Sequence, residues 1–112
     1  MPSPADVPAA YVRAINERSR AQLDALFAPD AVLNHPSGSY VGIAAIGEMY
    51  ETATFPGEPD LRVRRVLIDG STVMVEVEAR NAPGRPGATI RAIDLFELDA
   101  DGRVKTLDVF YL

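Results

Sequence analysis

The stretch from Ile90 to Leu98, IRAIDLFEL, decides how this chain is read. Side chains alternate faces along a strand, so Ile90, Ala92, Asp94, Phe96 and Leu98 share one side. Four of those five are apolar, and the fifth is a carboxylate. RVKTLDVFYL follows through Asp99-Ala100-Asp101-Gly102, a hairpin connection. Working back toward the N-terminus, STVMVEVEAR puts Val73, Val75, Val77 and Ala79 on one face and Met74, Glu76, Glu78 and Arg80 on the other. LRVRRVLI precedes it, and Asp69-Gly70 marks the turn between them. NAPGRPG is a loop.

Upstream of Leu61 the period is helical. Ser3-Pro4-Ala5-Asp6 has the pattern of a helix start, and Val7, Ala10, Tyr11, Ala14 and Ile15 fall on one face. Pro8 fits only if the first turn is loose or the helix begins later. A second helix starts at Ser19, with Gln22 completing a capping box and Leu23, Leu26 and Phe27 as its apolar stripe. Pro29 ends it. AVLNH, Ala31 to His35, is a short extended piece stopped by Pro36-Ser37-Gly38-Ser39. A third helix is expected from Ile43 to about Ala53. Three N-terminal helices followed by a mostly antiparallel sheet is an α+β order. Helices on one face of a strongly curved sheet give a cone, closed by helix at one end and open at the other.

The 112 residues fit one domain, 1–112. Composition is globular, with 47% hydrophobic and 24% charged residues. Eleven basic against sixteen acidic residues give a net charge of −5, which argues against a nucleic-acid partner. No apolar run has the length of a membrane span, and MPSPADVPAA lacks the pattern of a signal peptide. A cytoplasmic protein is the expectation. The absence of cysteine excludes disulfides and thiolate metal sites, and one histidine excludes a histidine-rich one.

Asp94 has two readings. It forms an ion pair with an arginine such as Arg13 or Arg80, or burial raises its pKa and keeps it neutral. A neutral acid aimed into a dry pocket is a hydrogen-bond donor for an oxyanion, worth on the order of 3 to 4 kcal/mol in the transition state. Tyr11, on the core stripe of the first helix, is either an ordinary buried tyrosine or a second donor. His35 is either a solvated turn residue or a general base, because an unperturbed histidine is largely neutral at pH 7.

YVRAIN at Tyr11, LDALFAPDAVLNHPSGS from Leu23, GIAAIGEMY from Gly42 and IDLFELDADGRVKTL from Ile93 resemble the bacterial ketosteroid isomerases. These belong to the wider nuclear transport factor 2-like (SnoaL-like) superfamily. The resemblance runs from about Tyr11 to the C-terminus and implies that superfamily's cone-shaped fold. It places the oxyanion tyrosine on Tyr11 and the protonated aspartic acid on Asp94, an established case of pKa tuning that the match carries over. It places a tyrosine that hydrogen-bonds the first one on Tyr50. The isomerases carry an aspartate base just before Pro-x-Gly, and here that position is His35.

The expected activity is a cofactor-independent, steroid Δ-isomerase-like proton transfer. An apolar ketone, steroid-like or polyketide-like, points its carbonyl at Tyr11 and Asp94, and His35 moves a proton from the α carbon. The expected walls are Val12, Ile15, Leu26, Phe27, Phe55, Val73, Val75, Phe96, Leu107 and Tyr111. The same residues suit a dehydratase or a polyketide cyclase, and the rival from another class is a non-catalytic small-molecule-binding domain. Epoxide hydrolysis asks for two carboxylates and an arginine around one water, and Arg91 alternates away from Asp94. Asp108 reads as outer-face, and Arg62, Arg64 and Arg65 as partners of Glu76 and Glu78. Apolar residues on the outer sheet face, with the family's habit, lead to the expectation of a homodimer through the sheet.

Overall fold

The computed structural model describes residues 3–112. A single turn of 3₁₀-helix, Pro4–Asp6, leads into α1, Val7–Asn16. This resolves the difficulty at Pro8. The α-helix proper begins at Val7, so Pro8 stands in its first turn, where no N–H is required. Helix α2 spans Arg20–Leu26, with the Ser19 hydroxyl accepting from the Gln22 amide N–H at 3.2 Å. Only half of the expected capping box forms, because the Gln22 side chain donates to Glu17 instead.

Phe27 is the first residue of β1, Phe27–His35, and not the last of a helix. The residue before a proline is pushed out of the helical region, so the Ala28-Pro29 pair converts the chain to extended backbone early. Pro29 sits where the pairing of β1 with the last strand slips between Phe27 and Val32. The expected loop after His35 is a tight Pro36-Ser37 turn, and Gly38–Val41 returns as β2. Helix α3, Ile43–Met49, continues as a π-helical turn, Tyr50–Thr54, and a 3₁₀ turn, Phe55–Gly57.

Four long strands follow: β3 Asp60–Asp69, β4 Thr72–Arg80, β5 Thr89–Leu98 and β6 Val104–Tyr111. The β3–β4 turn is displaced by one residue from the expected position. Asp69 pairs with Thr72, so Gly70-Ser71 is the loop, and Gly70 supplies its positive φ of 59°. The β5–β6 turn is closed by Asp99, whose carboxylate accepts from the N–H groups of Asp101 and Arg103. The six strands run in the order β2-β1-β6-β5-β4-β3, antiparallel except for β1 beside β6. Three helices thus pack on one curved, mostly antiparallel sheet, an α+β cone. Among the described residues no helix is long and apolar enough to cross a membrane.

The core follows the alternation of the strands. Val73, Phe96, Leu107 and Leu33 lie in register across β4, β5, β6 and β1, all fully buried. The next row toward the open end is Val75, Asp94 and Val109, and the row beyond it is Val77, Ala92 and Tyr111. Helix α1 is pinned over this end by Asn16. Its amide donates to the Leu61 carbonyl at 2.9 Å and its carbonyl accepts the Leu61 N–H at 2.8 Å.

Candidate active site

Asp94 is 3% exposed, flanked in register by Val75 and Val109. Arg13 and Arg80 form no ion pair with it, which sets aside the guanidinium partner that the sequence allowed. Among the described residues Asp94 has no hydrogen-bond partner, and no side-chain polar atom is at once sealed off and unpaired. Its carboxyl therefore opens onto free space, the cavity that it lines. Burial among valines pushes its pKa up to about 7.

Tyr11 and Tyr50 meet in the same cavity. Their hydroxyls are 2.6 Å apart and both are buried. Tyr11 comes from the inward face of α1 and packs edge-on against Phe96, ring centroids 5.2 Å apart. Tyr50 opens the π-helical turn, which also turns Thr54 to the cavity. Burial holds both phenols well protonated, and the neighbouring Asp94 raises them further.

His35 ends β1 on the inward row of Ala31 and Leu33. Its Nδ1 accepts the Ser37 backbone N–H at 3.2 Å and lies 2.9 Å from Ser37 Oγ, which is 2.9 Å from Tyr40 Oη. Its Nε2 is 3.4 Å from Tyr111 Oη, and Tyr111 donates to the Pro83 carbonyl at 3.0 Å. The two rings meet edge to face, with centroids 5.6 Å apart. Partial burial lowers the pKa of His35 from the ordinary 6.5.

Tyr11, His35, Tyr50 and Asp94 thus line one cavity. Of the ten expected walls, only Ile15 and Tyr111 do so. Phe27, Val73, Val75, Phe96 and Leu107 share the inward face but are core, Val12 and Leu26 pack against that core, and Phe55 packs beside Tyr50. Alternation gives the face of a strand and not the height at which packing stops. The cavity begins just past the Phe96 row, at Asp94 and Val109, and continues along Val77, Ala92 and Tyr111. Leu61, Val77, Ala79, Ala92 and Val109 are walls that the inward alternation could have named. Thr54, Pro59, Ala82 and Pro83 had no such signal.

The free volume is about 40 Å³. That holds two or three waters, against the roughly 300 Å³ or more of a typical ligand pocket. An open hollow of about 600 Å³ lies just outside, and His35 and Tyr111 line both spaces. Val109 also lines both, and the Arg85 guanidinium is 5.8 Å from the centre of the Tyr111 ring. Asp94 is the one carboxylate on the cavity wall among the described residues, and no arginine joins it. Asp108 faces outward, accepting from Asn34 at 2.7 Å. Arg64 and Arg65 pair with Glu76, and Arg64 also with Glu78, while Arg62 makes no ion pair among the described residues.

The comparisons with known proteins agree with this architecture. No curated protein matches the chain. Among solved structures, an NTF2-like protein of unknown function from Cytophaga hutchinsonii superposes with a TM-score of 0.83 at 18% identity, over 100% of this chain and 92% of the other. A candidate ketosteroid isomerase from Kribbella flavida gives 0.82 at 23% identity, over 97% and 77%. The epoxide hydrolase/cyclase-like enzyme SalBIII, of pyran ring formation in the polyether salinomycin, gives 0.83 at 24%, over 97% and 90%. At these identities the likeness is one of fold. The SnoaL-like domain family matches residues 9–107, and the chain belongs to that family.

Proposed function

We propose that this protein is a cofactor-independent enzyme that moves a proton α to the carbonyl of an apolar ketone, steroid-like or polyketide-like. The observation that carries the reading is Asp94, buried, unpaired and open to the cavity that Tyr11 and His35 also line. A carboxyl in that position costs desolvation energy and satisfies no structural partner. As a neutral acid it is a donor. The substrate carbonyl lies against Asp94 and Tyr11. With Tyr50 as the donor in the Tyr11–Tyr50 hydroxyl pair, the Tyr11 hydrogen is left for the ligand. Each donor stabilises the developing enolate by on the order of 3 kcal/mol. His35 removes the α proton as a neutral imidazole and returns it two carbons along, which shifts a double bond into conjugation. The imidazolium then stands near the enolate it produced. The same groups serve a dehydratase or a cyclase, and product analysis on a ketosteroid, a β-hydroxy ketone and a polyketide mimic separates the three.

The histidine at the base position, where the isomerases carry an aspartate, favours a second reading, a small-molecule-binding domain without turnover. An equilenin-like phenol that binds tightly, with no turnover of any of the three substrates, selects it. We further propose a homodimer through the outer sheet face, where Phe110 is 52% exposed.

The test is the pH profile of kcat/KM on a Δ5-3-ketosteroid. Catalysis needs His35 neutral and Asp94 protonated, so the profile is a bell. Its acid limb lies below the ordinary histidine value of 6.5, and its alkaline limb lies at about 7. His35→Ala abolishes most turnover. A flat profile from pH 5 to 8, or an unchanged His35→Ala enzyme, overturns the reading.

A further inference from the structure

We propose that His35 rests as its Nε2–H tautomer, fixed by a one-way hydrogen-bond chain, and that Ser37 and Tyr111 are the positioning residues that set which nitrogen is basic. The inference rests on the reading of His35 as the base. Backbone groups fix both ends of the chain. The Ser37 N–H can only donate, so Nδ1 is the acceptor and carries the lone pair. The Pro83 carbonyl can only accept, so Tyr111 places its one hydrogen there. Tyr111 Oη is then left to accept from Nε2, which must carry hydrogen. On the other side the Ser37 hydroxyl donates to Nδ1 and accepts from Tyr40. Every donor in the series finds an acceptor.

At rest, then, the lone pair of His35 faces the Ser37 turn, and a hydrogen faces the cavity. Abstraction at Nε2 needs the reverse. Nδ1 gains a proton from solvent and Nε2 loses one to solvent, so the ring stays neutral. Nδ1–H then donates to Ser37 Oγ, and the Ser37 hydroxyl turns to Tyr40. The Ser37 N–H loses its acceptor, which opposes the change. Displacement of Tyr111 supplies the opposing drive. A ligand that displaces Tyr111 from Pro83 and His35 takes away the acceptor of Nε2–H. Nε2–H is then unpartnered, and the ring gains by carrying its hydrogen on Nδ1, where Ser37 Oγ accepts it and Nε2 keeps a free lone pair for the substrate. Displacement of Tyr111 therefore favours the tautomer in which Nε2 is basic.

The chain has one histidine, so long-range 1H–15N NMR of tag-free protein reads His35 without ambiguity. Above the histidine pKa, the free protein shows Nε2 protonated and Nδ1 bare. Tyr111→Phe removes the acceptor of Nε2–H, and the signals move toward the Nδ1–H form. Ser37→Ala removes the hydroxyl that Nδ1–H needs, so the resting tautomer persists and kcat falls roughly tenfold with KM little changed. A resting Nδ1–H form, an unmoved tautomer in Tyr111→Phe, or an unchanged kcat in Ser37→Ala overturns the proposal. These outcomes are separable from failure of the base itself. An active His35→Ala enzyme removes the base and leaves the tautomer assignment intact, whereas a reversed tautomer does the opposite.

Discussion

At Asp94, burial and charge are in direct conflict, and the fold resolves it with a proton. Its pKa rises from 3.8 unfolded to about 7 folded. Between those values the folded state binds more protons than the unfolded one. The stability contributed by this group is thus full below pH 3.8 and is lost as pH rises through 7. Ionised burial costs on the order of 4 kcal/mol. Asp94→Asn keeps the shape without the charge, so the variant gains stability over the wild type at pH 8 and little at pH 4. Chemical denaturation at both values checks this, and equal differences at the two pH values count against it. Tyr11→Phe removes one oxyanion donor and lowers kcat by 10²- to 10³-fold on the order of, with KM moved much less. Asp94 was legible in the sequence because strand alternation is a local rule. The environment of His35 was not, because its partner Tyr111 lies 76 residues away and Pro83 sits in a loop with no periodic signal.

Among the elements, the helices and hairpins could be read wherever a period or a turn residue imposed them. Helix α1, β4 and β5 appear with the expected faces, and α3 begins where expected. The misplacements have local physical causes. Phe27 left the helix because of the pre-proline constraint at Ala28. Strand β2 escaped notice because four residues, Gly38–Val41, are too few to show alternation. The π-helical turn at Tyr50 carries no sequence signature, yet it brings Tyr50 and Thr54 to the same cavity. The seat of α1 depends on Asn16, which satisfies both backbone groups of Leu61 at the start of β3. Asn16→Ala leaves an N–H and a carbonyl unpaired and destabilises the fold by about 1–3 kcal/mol. A shift in the urea midpoint with unchanged m-value checks it, and a shift below a few tenths of a kcal/mol removes Asn16 from this role.

Across the whole molecule, the inward face of the sheet serves the cavity and the outward face is left apolar in part. Leu67, Met74 and Leu95 lie in one register row across β3, β4 and β5, and Phe110 pairs with Ile93 beside it. Leu67 and Phe110 are more than half exposed. Such a patch in a small domain is a liability unless covered. A second copy covering it predicts a dimer in sedimentation velocity, and Phe110→Glu shifts it to monomer with the far-UV CD spectrum kept. A wild-type monomer at micromolar concentration contradicts the dimer. The cone itself was readable from the element order. The height of its floor was not, since that depends on Phe96 filling one row and Ala92 leaving space two rows on.

The proposed chemistry requires the Asp94 carboxyl to keep its proton near neutral pH. The direct measurement is a titration of the protein labelled with 13C at aspartate side-chain carboxyls, with Asp94 assigned by the Asp94→Asn variant. The expected result is one carboxyl with a midpoint of about 7. A midpoint at the ordinary 3.8 contradicts it.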